Sequence, residues 1–238
     1  RFFDPLDLCT FPDRFCPRTR AVLLESPGSL TMEVQDVPAL AAAAKARGIV
    51  SVLDNTWASP LGFAALDHGV DIVVMSLTKH VSGHSDCMMG SASAGEEWYR
   101  KLRLRAQGLG LVVSPDDAAL MLRGLRTLDA RLRVHQENTQ ALVALLDAHP
   151  AVHTVHYPGL LSHPGHALAA RQQHGFGAML SVEIEGGEAA VRAFIDGLQC
   201  FTLAESLGGV ESLIAHPTTM THAAMTAEAR AAAGIGDG

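Results

Sequence analysis

The chain has 238 residues, 48% of them hydrophobic and 18% charged, with a formal net charge of -7. That length can bury a core in one large or two modest domains, and the apolar fraction excludes a disordered chain. The acidic balance argues against nucleic acid or an anionic membrane surface as partner, and no run approaches the roughly 18 apolar residues of a spanning helix.

Residues 1–20 carry three prolines among mixed charges and read as loop. Asp4, Asp7 and Asp13 interrupt any apolar run of a secretory leader. Opening at Arg1 and closing at Gly238, the chain reads as a piece of something longer. Ala21 to Leu24 is a short apolar run ending at Glu25-Ser26-Pro27-Gly28, a strand running into a turn. An Ala-rich helix is predicted from Val37 to Arg47. Ile49 to Leu53 is a second apolar run, stopped by Asp54-Asn55-Thr56. Leu61 to His68 is expected to form a short helix closed by Gly69. A third run, Asp71 to Met75, ends at Ser76-Leu77-Thr78-Lys79. Strand, helix, strand, helix, strand with continuous apolar runs predicts a parallel sheet buried on both faces.

Met88 and Met89 are expected to pack in the core. From Asp116 to Leu146 the helical pattern is nearly continuous, with Gly124 its one soft spot and Pro150 just past its end. Val152 to Tyr157, a Gly/Pro/His loop, a helix over 166–173, a strand over 178–183 and a helix over 188–198 follow. The division predicted is a sheet domain over 1–125, a connecting helix over 126–150 and a smaller α+β unit over 151–238. Cys9, Cys16, Cys87 and Cys200 are scattered without disulfide spacing, which suits reduced thiols in a cytoplasm.

In open parallel sheets, reactive groups collect at the carboxyl ends of the strands. Asp54 and Lys79 sit at two such ends, one strand–helix–strand unit apart. A lysine that forms a Schiff base and a carboxylate that keeps a pyridine nitrogen protonated are what pyridoxal phosphate needs. Ser76 and Thr78 supply hydroxyls for the phosphate. Spacing alone leaves another reading open: a solvated surface lysine, and an aspartate that caps a turn. A zinc site is a weaker reading. Ser82-Gly83 breaks the helix that His80 and His84 would need, and His163-Pro164-Gly165-His166 lacks a third ligand. No metal is expected.

The residues themselves carry more than the spacing. Asp54-Asn55-Thr56-Trp57, Ser76-Leu77-Thr78-Lys79-His80 and Ser82-Gly83-His84-Ser85-Asp86 resemble the signature of the cystathionine (Cys/Met-metabolism) family of pyridoxal-phosphate enzymes. Ala204-Glu205-Ser206-Leu207-Gly208-Gly209 and Arg123-Gly124-Leu125-Arg126-Thr127-Leu128 resemble two further stretches of it, in family order. The resemblance implies an α/β fold of the aspartate-aminotransferase-like type (fold type I). In it, Lys79 is the Schiff-base lysine and general base, Asp54 the partner of the pyridine nitrogen, and Ser76 and Thr78 the phosphate ligands. Ser206 aligns beside the substrate carboxylate, and Glu205 stands where a carboxylate can meet a distal amino group of the substrate. Small amino-acid substrates and a homo-oligomer, a tetramer built from two dimers, are implied as well.

Within the family the two halves point differently. Glu25 to Glu33 and the Trp57 version of the Asp-Asn-Thr motif resemble the β-lyase members. From His166 onward, through Gly175-Phe176-Gly177 and Glu205, the resemblance is to the γ-synthase members. The reading taken is γ-replacement on an O-acylhomoserine with cysteine, with β-lyase chemistry as the alternative. Family members extend past both ends, where they carry a phosphate-cradling nest, a ring-stacking Tyr, a Tyr-x-Arg segment and a carboxylate-gripping Arg. Turnover by this chain alone is therefore not expected, and a non-catalytic fold remnant is the third reading.

Overall fold

The computed structural model describes residues 2–236 and 238. The segment before the first strand is more than loop. A 3-10 turn at Phe11–Arg14 buries Phe11, whose ring lies edge-on to Phe3 at 4.7 Å and to Phe15 at 4.8 Å. Three aromatic side chains are enough to anchor a Pro-rich stretch without regular structure.

β1 (Ala21–Glu25), α1 (Val37–Lys45), β2 (Val50–Asp54), α2 (Ser59–Gly62) and β3 (Ile72–Ser76) follow in the expected order. Asp36 caps α1 by accepting from the Ala39 amide at 3.1 Å. Val37, Leu40, Ala41 and Ala44 form its buried stripe, at the spacing of one helix face. Gly48, at φ +66°, supplies the left-handed turn into β2. The predicted helix over 61–68 is shorter and earlier: α2 stops at Gly62, and turns carry the chain to Gly69.

β1, β2 and β3 are parallel, in register Glu25–Asp54 and Asp54–Val74, so they end at one edge of the sheet. A fourth strand, β4 (Gly90–Ala94), pairs antiparallel with β3, which makes the sheet mixed. The expectation of burial on both faces holds best in β3, where Ile72, Val73 and Met75 are all buried. In β1, Val22 and Leu24 are buried while Leu23 is 67% exposed, because α1 covers one face of this edge strand. Met89 packs against the core, but Met88 is 86% exposed, since neighbouring residues of an extended segment point to opposite sides. At the far edge, Asp71 ties β2 to β3: its Oδ2 accepts from the Ser51 amide at 2.8 Å and hydroxyl at 2.9 Å.

The second half begins with α3 (Glu96–Gly108), then α4 (Pro115–Leu125) and α5 (Leu128–Asp147). The near-continuous helix predicted over 116–146 is thus two helices, broken at Arg126–Thr127, just past Gly124. Ser114 caps α4 by accepting from the Asp117 amide at 3.0 Å. β5 (Val152–His156), α6 (His166–Gln172), β6 (Ser181–Ile184) and α7 (Gly187–Asp196) follow, with β5 antiparallel to β6. A second apolar cluster joins Val143 of α5 to Val155 and Tyr157. β7 (Thr202–Leu203) and β8 (Leu213–Ile214) form a short parallel pair that frames residues 204–212, and α8 (Ala227–Ala232) comes last.

Candidate active site

The ends of β2 and β3 are laced together by the Asp54-Asn55-Thr56 turn. Asp54 Oδ1 accepts from the Thr56 amide at 2.9 Å, and Thr56 Oγ1 accepts from the Ser76 amide at 2.8 Å. Asn55 is buried and donates through Nδ2 to the carbonyls of Ser59 and Phe63 at 3.1 and 2.9 Å. This turn leaves Asp54 Oδ2 for another donor at the carboxyl edge of the sheet. Thr56 and Asn55, the neighbours of Asp54 in the motif, hold two strand ends in one frame.

Lys79 lies in a compact turn beyond β3. Its amide donates to the Ser76 carbonyl at 3.2 Å, Ser82 donates to Leu77 at 2.8 Å, and Gly83 donates to Lys79 at 2.9 Å. Lys79 Nζ donates to Ser206 Oγ at 3.0 Å, so residues 127 positions apart meet here. The loop carrying Ser206 is fixed to the same turn twice more. Glu211 accepts from the Ser85 hydroxyl at 3.0 Å, and Gly208, at φ +76°, packs so closely on His80 that a Cβ there would crowd its backbone nitrogen. Glu205 precedes Ser206 on this loop and is exposed. Ser76 is half-buried at the strand end. Thr78 commits its hydroxyl to Met89, accepting from the amide at 3.0 Å and donating to the carbonyl at 3.3 Å. To donate to a phosphate, Thr78 has to turn its proton away from that long bond.

The donor set suits a compound with an aldehyde, a basic ring nitrogen and a phosphate. Lys79 is a primary amine beside Ser206, and Asp54 offers a free carboxylate oxygen on the neighbouring strand. The Ser76 backbone bonds to both turns, through its amide to Thr56 and its carbonyl to the Lys79 amide. Among the described residues, no group of three or more His, Cys, Asp or Glu side chains could hold a metal ion. Nor is any described helix long and apolar enough to cross a membrane.

His80 follows Lys79 in the chain and is 2% exposed. Burial, reinforced by the nearby charges of His135 and Arg131, pushes its imidazole down to about 4 against a donor bond to the Trp57 carbonyl. The ring of His135 lies 6.5 Å away. Unfolded, the same imidazole titrates near its ordinary 6.5, so between pH 6.5 and about 4 the unfolded chain binds more protons. Stability from burying the neutral ring is fully present above pH 6.5 and is lost as pH falls toward 4, on the order of 3 kcal/mol across the window. The urea midpoint is expected to fall between pH 7 and pH 4.5, and to fall less in His80→Gln. Equal pH dependence in the two proteins would sink this account.

A family model for Cys/Met metabolism PLP-dependent enzymes matches residues 1–238. The chain is 45% identical to cystathionine gamma-lyase of Dictyostelium discoideum, over 99% of this chain and 62% of that protein. It is 47% identical to cystathionine gamma-synthase of Escherichia coli, over 92% of this chain and 57% of that protein. A crystal structure of cystathionine gamma synthase from Xanthomonas oryzae pv. oryzae, in complex with cystathionine, superposes with a TM-score of 0.93 at 57% identity, covering 99% of this chain and 61% of that one. The chain thus spans about three fifths of the length of these relatives. Motifs, fold and relatives agree: the chain belongs to the Cys/Met metabolism PLP-dependent enzyme family, whose cofactor is pyridoxal phosphate.

Proposed function

We propose that the whole protein is a transsulfuration enzyme of the cystathionine γ-synthase kind, joining an O-acylhomoserine to cysteine with release of the acyl group as a carboxylate. The observation that carries this reading is the 3.0 Å contact of Lys79 Nζ with Ser206 Oγ, which brings the lysine turn against the loop that bears Glu205. In this reading Lys79 links the cofactor, Asp54 holds a proton at its ring nitrogen, and Ser76 and Thr78 hold its phosphate. When bound, pyridoxal phosphate supplies an electron sink next to the substrate α-carbon. Lys79 Nζ would take the α-proton, hand it on so that the amine is free again, and then take a β-proton. The acyl group would leave from the γ-carbon as a carboxylate, and the cysteine thiol would add there with loss of its own proton. The two carbon-bound protons would be returned to the β- and α-carbons. Ser206 orients the substrate at the same wall. Glu205 faces water at the rim, where a carboxylate can receive the distal amino group of the substrate or product.

The similarity at 57% identity to a γ-synthase that binds cystathionine supports the γ reading over its rival. Trp57 favours the β-lyase alternative, C–S cleavage of cystathionine to homocysteine, pyruvate and ammonia. It packs on the backbone of Gly177, at φ +73°, where a Cβ would overlap its ring. Residues 1–125 and 151–238 are proposed as large and small domains joined through 126–150, in a cytoplasmic homo-oligomer.

The test is product analysis on the whole protein with pyridoxal phosphate present. O-acylhomoserine and cysteine are expected to give cystathionine, and Glu205→Gln is expected to lower its formation about tenfold, mainly through KM. Pyruvate from cystathionine at a higher rate would favour the β-lyase reading. Neither product would leave the fold-remnant reading standing.

A further inference from the structure

We infer that Arg131 is a positioning residue for Lys79, a role that rests on the reading of Lys79 as the cofactor-linking lysine. Arg131 lies in the first turn of α5, outside every motif that the sequence singled out. Its guanidinium donates through Nη1 to the His80 carbonyl at 2.7 Å, and through Nη2 to the carbonyls of Val81 at 3.3 Å and Gly124 at 2.8 Å. Nε donates to Thr127 Oγ1 at 3.0 Å, and that hydroxyl donates in turn to the Gly124 carbonyl at 3.1 Å. One side chain therefore ties together the lysine turn, the end of α4 and the start of α5.

Two glycines make room for this arrangement. Gly83 adopts φ +69°, and a Cβ there would overlap the Arg131 guanidinium itself. A Cβ on Gly124 would overlap the carbonyl oxygens of Val81 and Ser82. The turn is thus pressed between α4 and the arginine on one side, while Lys79 Nζ leaves it toward Ser206. A planar fork with fixed N–H directions can serve three carbonyls at once. An ammonium on a flexible stem cannot hold the same geometry. Because the carbonyls held belong to the two residues after Lys79, loosening them lets the lysine wander from its place beside Ser206.

The experiment compares the unsubstituted chain with Arg131→Lys and Arg131→Met, each with added pyridoxal phosphate. Hydrogen exchange at the Ser82 and Gly83 amides is expected to quicken about tenfold in both variants, whereas the β1–β2 amides stay protected. Cofactor affinity is expected to fall roughly tenfold, and the pH midpoint of the cofactor's visible band to shift by about half a unit or more, with Arg131→Lys between the other two. If Arg131→Met fails to fold, the Lys variant carries the comparison. Faster exchange with unchanged affinity and midpoint would make Arg131 a structural brace only and overturn the inference. If the unsubstituted chain itself forms no link at Lys79, the reading of that lysine fails, and the inference falls with it.

Discussion

Lys79→Ala is expected to abolish the visible absorbance band that appears when pyridoxal phosphate is added to the unsubstituted chain. The assignment is unusually clean, because the chain holds three lysines only. Lys45 closes α1 at the surface. Lys101 pairs with Glu97 at 3.1 Å and sits over the Trp98 ring at 3.9 Å from its centre. Neither lies at the carboxyl edge of the sheet. Alanine removes the only lysine amine at that edge among the described residues, and with it the base proposed to move protons between substrate carbons. Product formation in the whole protein should fall on the order of 10³-fold or more. Borohydride reduction followed by peptide mass analysis gives the same answer without turnover, since the fixed cofactor should be on the peptide containing Lys79. An equal band in Lys79→Ala, or a fixed adduct on Lys45 or Lys101, would remove Lys79 from its role.

Gly124→Ala should destabilise the protein by about 2 kcal/mol, although intrinsic propensity argues the reverse. Inside a helix, alanine is favoured over glycine by roughly 1 kcal/mol. Gly124 is buried in α4 and its backbone lies against the lysine turn. An added Cβ overlaps the Val81 and Ser82 carbonyl oxygens, which are backbone atoms and cannot rotate aside. Relief requires α4 to back away from the turn, and overpacking of this kind costs about 1 to 3 kcal/mol or more. Gly124→Val, with a larger and β-branched side chain, should lose more. Urea unfolding of the three proteins at pH 7 settles the sign; a gain in stability for the alanine variant would mean that helix and turn are not in close contact.

How much of this was readable from sequence depends on what each residue works through. β1, β2 and β3 were legible because apolar runs ended at turn residues, and Asp54 and Lys79 because strand ends are where loops converge. β4 was not, since Gly90-Ser91-Ala92-Ser93-Ala94 has no large apolar side chain and takes its strand form from pairing with β3. α3 escaped notice for a related reason. It buries no residue, and its order lies in charge spacing, with Glu96–Arg100 and Glu97–Lys101 pairs one turn apart. The break between α4 and α5 is set by contacts of Gly124 and Thr127 that no periodicity records. Ser206 and Glu205 entered only through resemblance to a family, because spacing cannot foretell a meeting across so much chain. Arg131 stayed invisible because it speaks to backbone carbonyls, which every residue has.

The hydrogen bond between Lys79 and Ser206 also sets a clock on the ribosome. The two residues are separated by 127 positions. At ordinary rates of synthesis, about 5 to 20 residues per second, the second emerges roughly 6 to 25 s after the first. During that interval the sheet and the lysine turn can already be folded, while the wall that faces Lys79 has not yet been made. Pausing of translation after α5, or slow docking of residues 204–212, lengthens the interval in which Lys79 lacks its Ser206 partner.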